Sequence, residues 1–292
     1  FHYHPTHLLL TSVSWDHADV YPTEKLYFDA FRKLIREIPP TGKIVACMDN
    51  KGVQDILGKR DVIIYGKKEG EKNDDVNYLY YDVIHTKDGL NFYIKNKGAD
   101  YKIESPMLGR FNAENITGSF AMAHSIGISP EKIIEAIKKF KGIKRRLEKR
   151  YEGDVTVLDC HAPTPEKASS VLESIKEVYK EKIIAIYEPN TGGRKRNTLH
   201  MYDHAFKDAN LIIIPRLTKI KIDADMSVTE QPIEGEELAK VISKTHKNTI
   251  YIENDEELVK KIINEAKKGD VVVFLGSHGF RGMIEETISL RQ

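Results

Sequence analysis

The sequence predicts an α/β protein of two domains, the second built on a mainly parallel sheet. Three observations predict it. From residue 150 onward, short wholly apolar runs alternate with stripes of apolar residues at helical spacing, the pattern of strands buried on both faces by amphipathic helices. The first half instead includes three segments of alternating polarity joined by polar turns, which indicates antiparallel strands. Finally, 292 residues suffice for two domains, each of roughly 100–200 residues.

The elements follow in order. Leu8 to Val13, Ile44 to Met48 and Val62 to Tyr65 read as strands, with a helix over Thr23 to Ile38. Tyr78 to Val83, Leu90 to Ile94 and Tyr101 to Glu104 are the alternating segments, and helices over Asn112 to Ser125 and Pro130 to Phe140 close the half. The basic stretch Lys139 to Arg150 reads as the linker, so the expected domains are residues 1–149 and 150–292. In the second, Val155 to Leu158, Ile183 to Tyr187, Leu211 to Ile214, Thr249 to Ile252 and Val271 to Leu275 are strands. Ala168, Val171, Leu172, Ile175 and Val178 mark one helix face. Further helices span Glu236 to Thr245, a stretch capped by Asp255 and ended by Gly269, and Met283 to Leu290.

Composition narrows the function classes. Forty-five basic against 44 acidic residues give a net charge of +1, which is no nucleic-acid footprint. The longest apolar runs fall far short of the ~20 residues of a membrane span. Cys47 and Cys160 are the two cysteines, at a spacing that suggests neither zinc site nor disulfide framework, so a reducing cytoplasm is the expected location. The chain opens Phe1-His2-Tyr3-His4-Pro5 without Met and enters an apolar run at Leu8, which reads as the middle of a domain.

In parallel sheets ligands sit at the carboxyl ends of strands, here Asp159 to Thr164, Glu188 to Arg196 and Gly276 to Gly282. Asp159 and His161 follow a buried strand and could bind a ribose or orient a substrate. Cys160 between them reads either as a thiol nucleophile or as a small buried residue. Asn112 and Asn115 lie three apart on one side of a helix's first turn. They read either as a helix cap plus a surface amide or as an adenine-reading pair. Lys144-Arg145-Arg146 offers planar guanidiniums suited to phosphate, or a solvated basic linker. Asp16-His17-Ala18-Asp19 could ligate Mg2+ or cap a helix, His being an unusual partner for so hard a cation. Arg194-Lys195-Arg196 suits an anionic substrate, or forms a solvated charge run.

The order of these segments resembles the Mur ligase family. Asp16-His17-Ala18-Asp19, the glycine-led segment with Asn112 and Asn115, Phe140-Lys141-Gly142-Ile143-Lys144-Arg145-Arg146-Leu147-Glu148, the Asp159 turn and Gly276-Ser277-His278-Gly279-Phe280-Arg281-Gly282 follow one another as they do there. The opening and the linker most resemble the muropeptide ligases, with the UDP-N-acetylmuramate–alanine ligases next. The resemblance implies the second part of a central ATPase domain followed by a Rossmann-like carboxyl-terminal domain. It implies ATP-dependent amide formation on a UDP-muramyl precursor through an acyl phosphate, with Mg2+ and an amino acid or peptide as the second substrate. His17 then resembles the metal-ligand histidine, and Asn112 and Asn115 the adenine-contacting pair. Arg146 resembles the arginine near the phosphates, and Asp159, with His161 beside it, the carboxyl-domain residue at the nucleotide. Arg194, Arg196, Ser277 and His278 fall on the substrate side.

Three departures accompany it. The family's amino-terminal domain and its Gly-x-Gly-Lys-[Thr/Ser] phosphate loop are not in this sequence, so the stretch alone is expected to be inactive. His161 is shifted by one position from the family's histidine. Position 32 is arginine and Lys33 follows, so no carbamylated lysine is assigned. The rival readings are another Mur-type ligase (alanine-adding, folylpolyglutamate-like or cyanophycin-like) and a non-catalytic module that only holds nucleotide or peptide.

Overall fold

A computed structural model describes residues 4–15, 20–58, 60–68, 76–219 and 231–292. The chain divides into two compact units, residues 1–141 and 142–292.

The first unit holds one six-stranded sheet in the order β1-β2-β3-β4-β5-β6. Its strands are β1 (Leu8–Leu10), β2 (Ile44–Cys47), β3 (Ile63–Lys67), β4 (Tyr78–Thr86), β5 (Gly89–Asn96) and β6 (Ala99–Ser105). The first four pair parallel, and β4, β5 and β6 pair antiparallel, as their alternation predicts. Successive residues of β2 serve opposite faces. Ile44 and Ala46 pack with Ile35 of helix α1 (Glu24–Glu37) and with Val53 and Ile56 of α2 (Lys51–Ile56). Val45 and Cys47 pack beneath α3 (Phe111–Ser125) with Ala113, Ile116 and Phe120. Helix α4 (Pro130–Lys139) joins that layer through Ile133. Helix α1 starts where Thr23 Oγ1 accepts from the Leu26 N–H at 3.3 Å, which satisfies one orphan donor of the first turn.

The second unit holds a six-stranded sheet in the order β11-β10-β9-β12-β8-β7. These are β7 (Glu148–Glu152), β8 (Thr156–Cys160), β9 (Ile183–Glu188), β10 (Leu211–Pro215), β11 (Thr249–Ile252) and β12 (Val271–Gly276). All pairs are parallel except β7 with β8. Val157, Ile184, Ile186, Ile213, Val272 and Phe274 face α7 (Asp255–Glu265) and α8 (Met283–Ser289). The alternate residues Leu158, Ala185, Ile212 and Val273 are buried as well. Two further helices, α5 (Pro165–Val178) and α6 (Gly235–Ser243), complete the unit, α6 packing on β10 and β11. Burial on both faces explains why these strands read as continuous apolar runs.

Several expectations need correction. Helix α2, six residues long, has no apolar stripe long enough to stand out in the sequence. The end of the supposed linker is the edge strand β7, in which Glu148, Lys149 and Arg150 sit half-buried. The cap of α7 is Asn254, whose Oδ1 accepts from the Glu257 N–H at 3.0 Å. Asp255 is instead the first helical residue, and α7 ends at Glu265, ahead of Gly269.

Candidate functional site

The second sheet reverses its order between β9 and β8, where β12 returns to lie between them. Such a reversal opens a crevice at the carboxyl ends of the strands. Asp159 and His161 stand at the end of β8, Glu188 at the end of β9, and Ser277 and His278 just beyond β12.

Arg145 joins these ends. Its Nε donates to Asp159 Oδ1 at 3.2 Å, and its terminal nitrogens donate to the carbonyls of Gly276, Ser277 and His278 at 2.7–3.0 Å. Its own carbonyl accepts from the His161 N–H at 2.6 Å, and its N–H donates to Glu148 Oε2 at 2.8 Å. Arg145 and Leu147 have φ of 58° and 52°, sparsely populated for non-glycine residues and held only where the surroundings impose them. Asp159 is 2% exposed. Burial outweighs the facing Arg145 and Arg150 guanidiniums and pushes its carboxyl above the ordinary range.

Arg146 differs from its neighbour. It is exposed, and its side chain has no hydrogen bond or ion pair among the described residues. Near it, His161 is held below the usual histidine range by partial burial and by the charges of Arg146, Arg145, Lys167 and His278. These causes favour the neutral form of His161, which lies beside Arg145, Arg146 and Lys167. Ser277 Oγ and His278 Nδ1 share a hydrogen bond of 2.9 Å, and His278 is exposed. Cys160 is buried and its thiol is pushed up by desolvation, which suits the structural reading over the nucleophilic one.

A second ionic group ties the end of β9 to the loops after β10 and β12. Glu188, 1% exposed, accepts from the Thr218 N–H and hydroxyl at 2.8 and 2.6 Å and from Arg281 at 3.1 Å. Arg281 also forks onto Asp255 at 2.9 and 3.1 Å. Phe280 and Arg281 both carry left-handed backbone (φ 54° and 51°), fixed by the buried Phe280 ring 5.1 Å from Phe274.

Arg194 belongs to this bracing rather than to a ligand surface. It is 2% exposed, and its guanidinium donates to the carbonyls of Ile233 and Thr218 and to Glu234 at 2.7–2.9 Å. The expectation that it would face a substrate overlooked the short 3-10 turn of Gly192–Arg194, which turns the side chain inward. Arg196 pairs at the surface with Glu237 at 2.7 Å. Neither joins the Asp159 group.

In the first unit Asn112 is buried on α3. Its Nδ2 donates to the Leu108 carbonyl at 2.7 Å, and its Oδ1 accepts from Asn115 Nδ2 at 3.3 Å. Arg110, not Asn112, occupies the cap position. Asn115 is half-buried and keeps its side-chain amide oxygen, Oδ1, uncommitted among the described residues. His17 lies outside the described residues.

The structure thus brings together Arg146, Asp159, His161, Ser277 and His278 and adds Arg145. Sequence reasoning grouped Arg145 with its neighbours as linker charge. No local pattern distinguished it, since the loop carbonyls it holds lie more than a hundred residues away.

Two α/β units, one mixed and one mainly parallel, with a polar cluster at the strand ends of the second, are the arrangement that the Mur-type motifs suggest. The match is specific. Residues 2–123 fit the Mur ligase middle domain and residues 145–278 the Mur ligase glutamate ligase domain, and the chain belongs to the Mur ligase family.

A UDP-N-acetylmuramate--L-alanine ligase of Methylobacterium radiotolerans is 29% identical over 92% of this chain and 58% of its own length. The chain thus spans somewhat over half the length of the curated relatives it matches. The crystal structure of the UDP-N-acetylmuramate-alanine ligase of Thermotoga maritima superposes with a TM-score of 0.76 at 21% identity, covering 99% of this chain and 60% of that one. A murein peptide ligase of Psychrobacter arcticus gives 0.61, also at 21% identity, over 99% and 58%. These two share the fold. No helix among the described residues is long and apolar enough to cross a membrane.

Proposed function

We propose that these domains serve an ATP-dependent amide ligase that joins an amino acid or short peptide to a UDP-N-acetylmuramate-type precursor. One observation carries the reading. Arg146 stands exposed and uncommitted on a basic rim, while the adjacent Arg145 holds Asp159 and the Gly276–His278 loop rigid. A guanidinium with all its donors free matches phosphate, and a rigid support keeps it oriented.

In this reading the γ-phosphoryl group of ATP passes to the precursor's carboxylate. The incoming amine then attacks that mixed anhydride, and phosphate leaves as the amide forms. Arg146 neutralises phosphate charge, and neutral His161 beside it can accept or donate a hydrogen bond. Asn115 is the amide proposed to read adenine, with Asn112 holding it in place. Arg196, Ser277 and His278 are proposed to meet the anionic substrate, and Arg194 to support their loops. Mg2+ is proposed as partner of the phosphates and of His17, and the cytoplasm as the location. No Gly-x-Gly-Lys-[Thr/Ser] loop occurs in the 292 residues, so this stretch alone is expected not to turn over ATP. Substrate-dependent turnover by it would overturn that expectation.

Two second substrates are in view, a peptide and alanine. The linker residues Lys141 to Glu148 favour the peptide-adding branch, and the curated relatives' names favour alanine. ADP release by the complete protein with a UDP-muramyl acceptor and a panel of amino acids and peptides tests the proposal. Amine-dependent release supports it and identifies the added group. Absence of release with every amine leaves the non-catalytic binding reading in its place.

A further inference from the structure

We propose that the first unit carries a site for a borderline divalent transition ion such as Zn2+, ligated by Cys47, Asp49 and Glu114. The register of the sheet builds it. Cys47 ends β2, and Asp49 follows two residues later. Directly opposite Cys47 on β3 is Tyr65, and opposite Lys67, one step further, is Tyr80 of β4. Helix α3 lies over Cys47, Tyr65 and Tyr80. Glu114 and Gly118, four apart, share one side of that helix.

One ligand atom from each of Cys47, Asp49 and Glu114 falls within 4.8 Å of the other two. Around a tetrahedral Zn2+ the corresponding separations are about 3.3–3.5 Å, so the ion needs at most about 1.5 Å of side-chain closure.

The ligands are poised. Asp49 Oδ2 accepts from the Lys67 N–H at 2.8 Å and the Tyr80 hydroxyl at 3.2 Å, which orients the carboxylate. A Cβ at Gly66 would approach Asp49 Oδ1 to 2.8 Å, so that oxygen has its place only beside a glycine. Neither Asp49 nor Glu114 forms an ion pair among the described residues. Half-burial pushes the Glu114 carboxyl up, and burial with the nearby Glu114 charge pushes the Cys47 thiol up to about 12. A bound cation reverses both penalties.

A second observation concerns a neighbouring side chain that is not itself a ligand. Tyr65 is 0% exposed, and its hydroxyl has no hydrogen-bond partner among the described residues. Orphaned buried hydroxyls are uncommon and costly. The ring lies so close under α3 that a Cβ at Gly118 would meet its hydroxyl at 2.7 Å. The polar groups around that hydroxyl are the Cys47 thiol, the Glu114 carboxyl and Tyr80. With an ion in place, the hydroxyl has a thiolate or carboxylate ligand to donate to, as metal ligands commonly require.

The donor set of one sulfur and two carboxylates excludes a preference for Mg2+ or Ca2+, which take oxygen ligands, and leaves a fourth position open. Binding releases the Cys47 proton to solvent, so it strengthens as pH rises. The ion would tie the end of β2 to the first turn of α3, the turn that carries Asn112 and Asn115.

Cobalt tests the site, because thiolate ligation gives a charge-transfer absorption in the near ultraviolet that oxygen and nitrogen ligands do not. Metal-free protein, reduced with a phosphine, is titrated with Co2+. The band is expected to saturate at one equivalent and to be displaced by Zn2+. Cys47→Ser should abolish it and Cys160→Ser should leave it. An outer-shell partner alone is worth about 10–100-fold in affinity, so Glu114→Gln should weaken binding about tenfold or more. Glu114 is half-buried, so that variant is expected to fold (circular dichroism checks this) and decides the matter even where Cys47→Ser does not. No band in the parent, a band unchanged in Cys47→Ser or Glu114→Gln, or a band lost only in Cys160→Ser would overturn the proposal.

Discussion

Two polar clusters, one in each unit, are completed differently. In the second, Asp159 meets Arg145 and Arg150, and Glu188 meets Arg281 and Thr218. Arg194 also has carbonyl and carboxylate acceptors. In the first, Glu114 has no cation and the Tyr65 hydroxyl has no acceptor among the described residues. A buried charge with its partners in place braces loops, and deleting one partner exposes the cost of burying the other. A buried group without partners is waiting for one or is a standing penalty. The contrast repeats between adjacent residues, since Arg145 is committed to four acceptors while Arg146 has none.

The largest effect expected is therefore at Arg145. Arg145→Ala leaves Asp159 with Arg150 alone at 3.6 Å and three loop carbonyls without their donor. Breaking such a buried pair costs about 3 kcal/mol or more, roughly a 6–12 °C fall in melting temperature for a unit of this size. A calorimetric melt checks it, and a shift below about 2 °C would place Arg145 among the dispensable charges. Arg194→Ala should follow at about 2–3 kcal/mol, because it removes a buried donor from two carbonyls. A melt indistinguishable from the parent's would return Arg194 to the pool of ligand-facing residues.

Asp255 of the second unit and Glu114 of the first should answer pH with opposite sign. Hydrogen bonds from Arg281 hold the Asp255 carboxyl below its ordinary range. Its contribution is full above the unfolded value of about 3.9 and is lost as pH falls through the depressed folded value. Arg281→Ala should flatten that acid loss. Burial raises Glu114 instead. Its contribution is present below the unfolded value of about 4.3 and is lost as pH rises through the raised folded value. Metal-free Glu114→Gln should therefore melt slightly higher than the parent at pH 7 and no higher at pH 4. A lower melt at pH 7 would mean that the ionised carboxylate is already stabilised, contrary to its unpaired state.

Much of the fold was legible because burial on both faces leaves unbroken apolar runs, as in Val271 to Leu275, and because Tyr78 to Glu104 alternates cleanly. The short α2 and the charged edge strand β7 carry neither signature. The site was legible where its residues adjoin a strand end, as Asp159, His161, Ser277 and His278 do. What could not be read was commitment. Arg145 and Arg146 are chemically identical neighbours, and only a left-handed backbone sends one guanidinium across to a loop after β12. Nor do residues 47, 49, 65 and 114 meet in any local pattern. Cross-strand register and a covering helix assemble them.

The smallest change in stability is expected at Arg146, and it tests the central claim most directly. Melting temperature and affinity for a non-hydrolysable ATP analogue with Mg2+ are measured on the same sample of Arg146→Ala in the complete protein. The account predicts a stability change within about 0.5 kcal/mol and an affinity loss of about tenfold or more, on the order of 1.4 kcal/mol. A variant that melts early yet binds the analogue as tightly as the parent would contradict it, for Arg146 would then be a bracing residue like its neighbour.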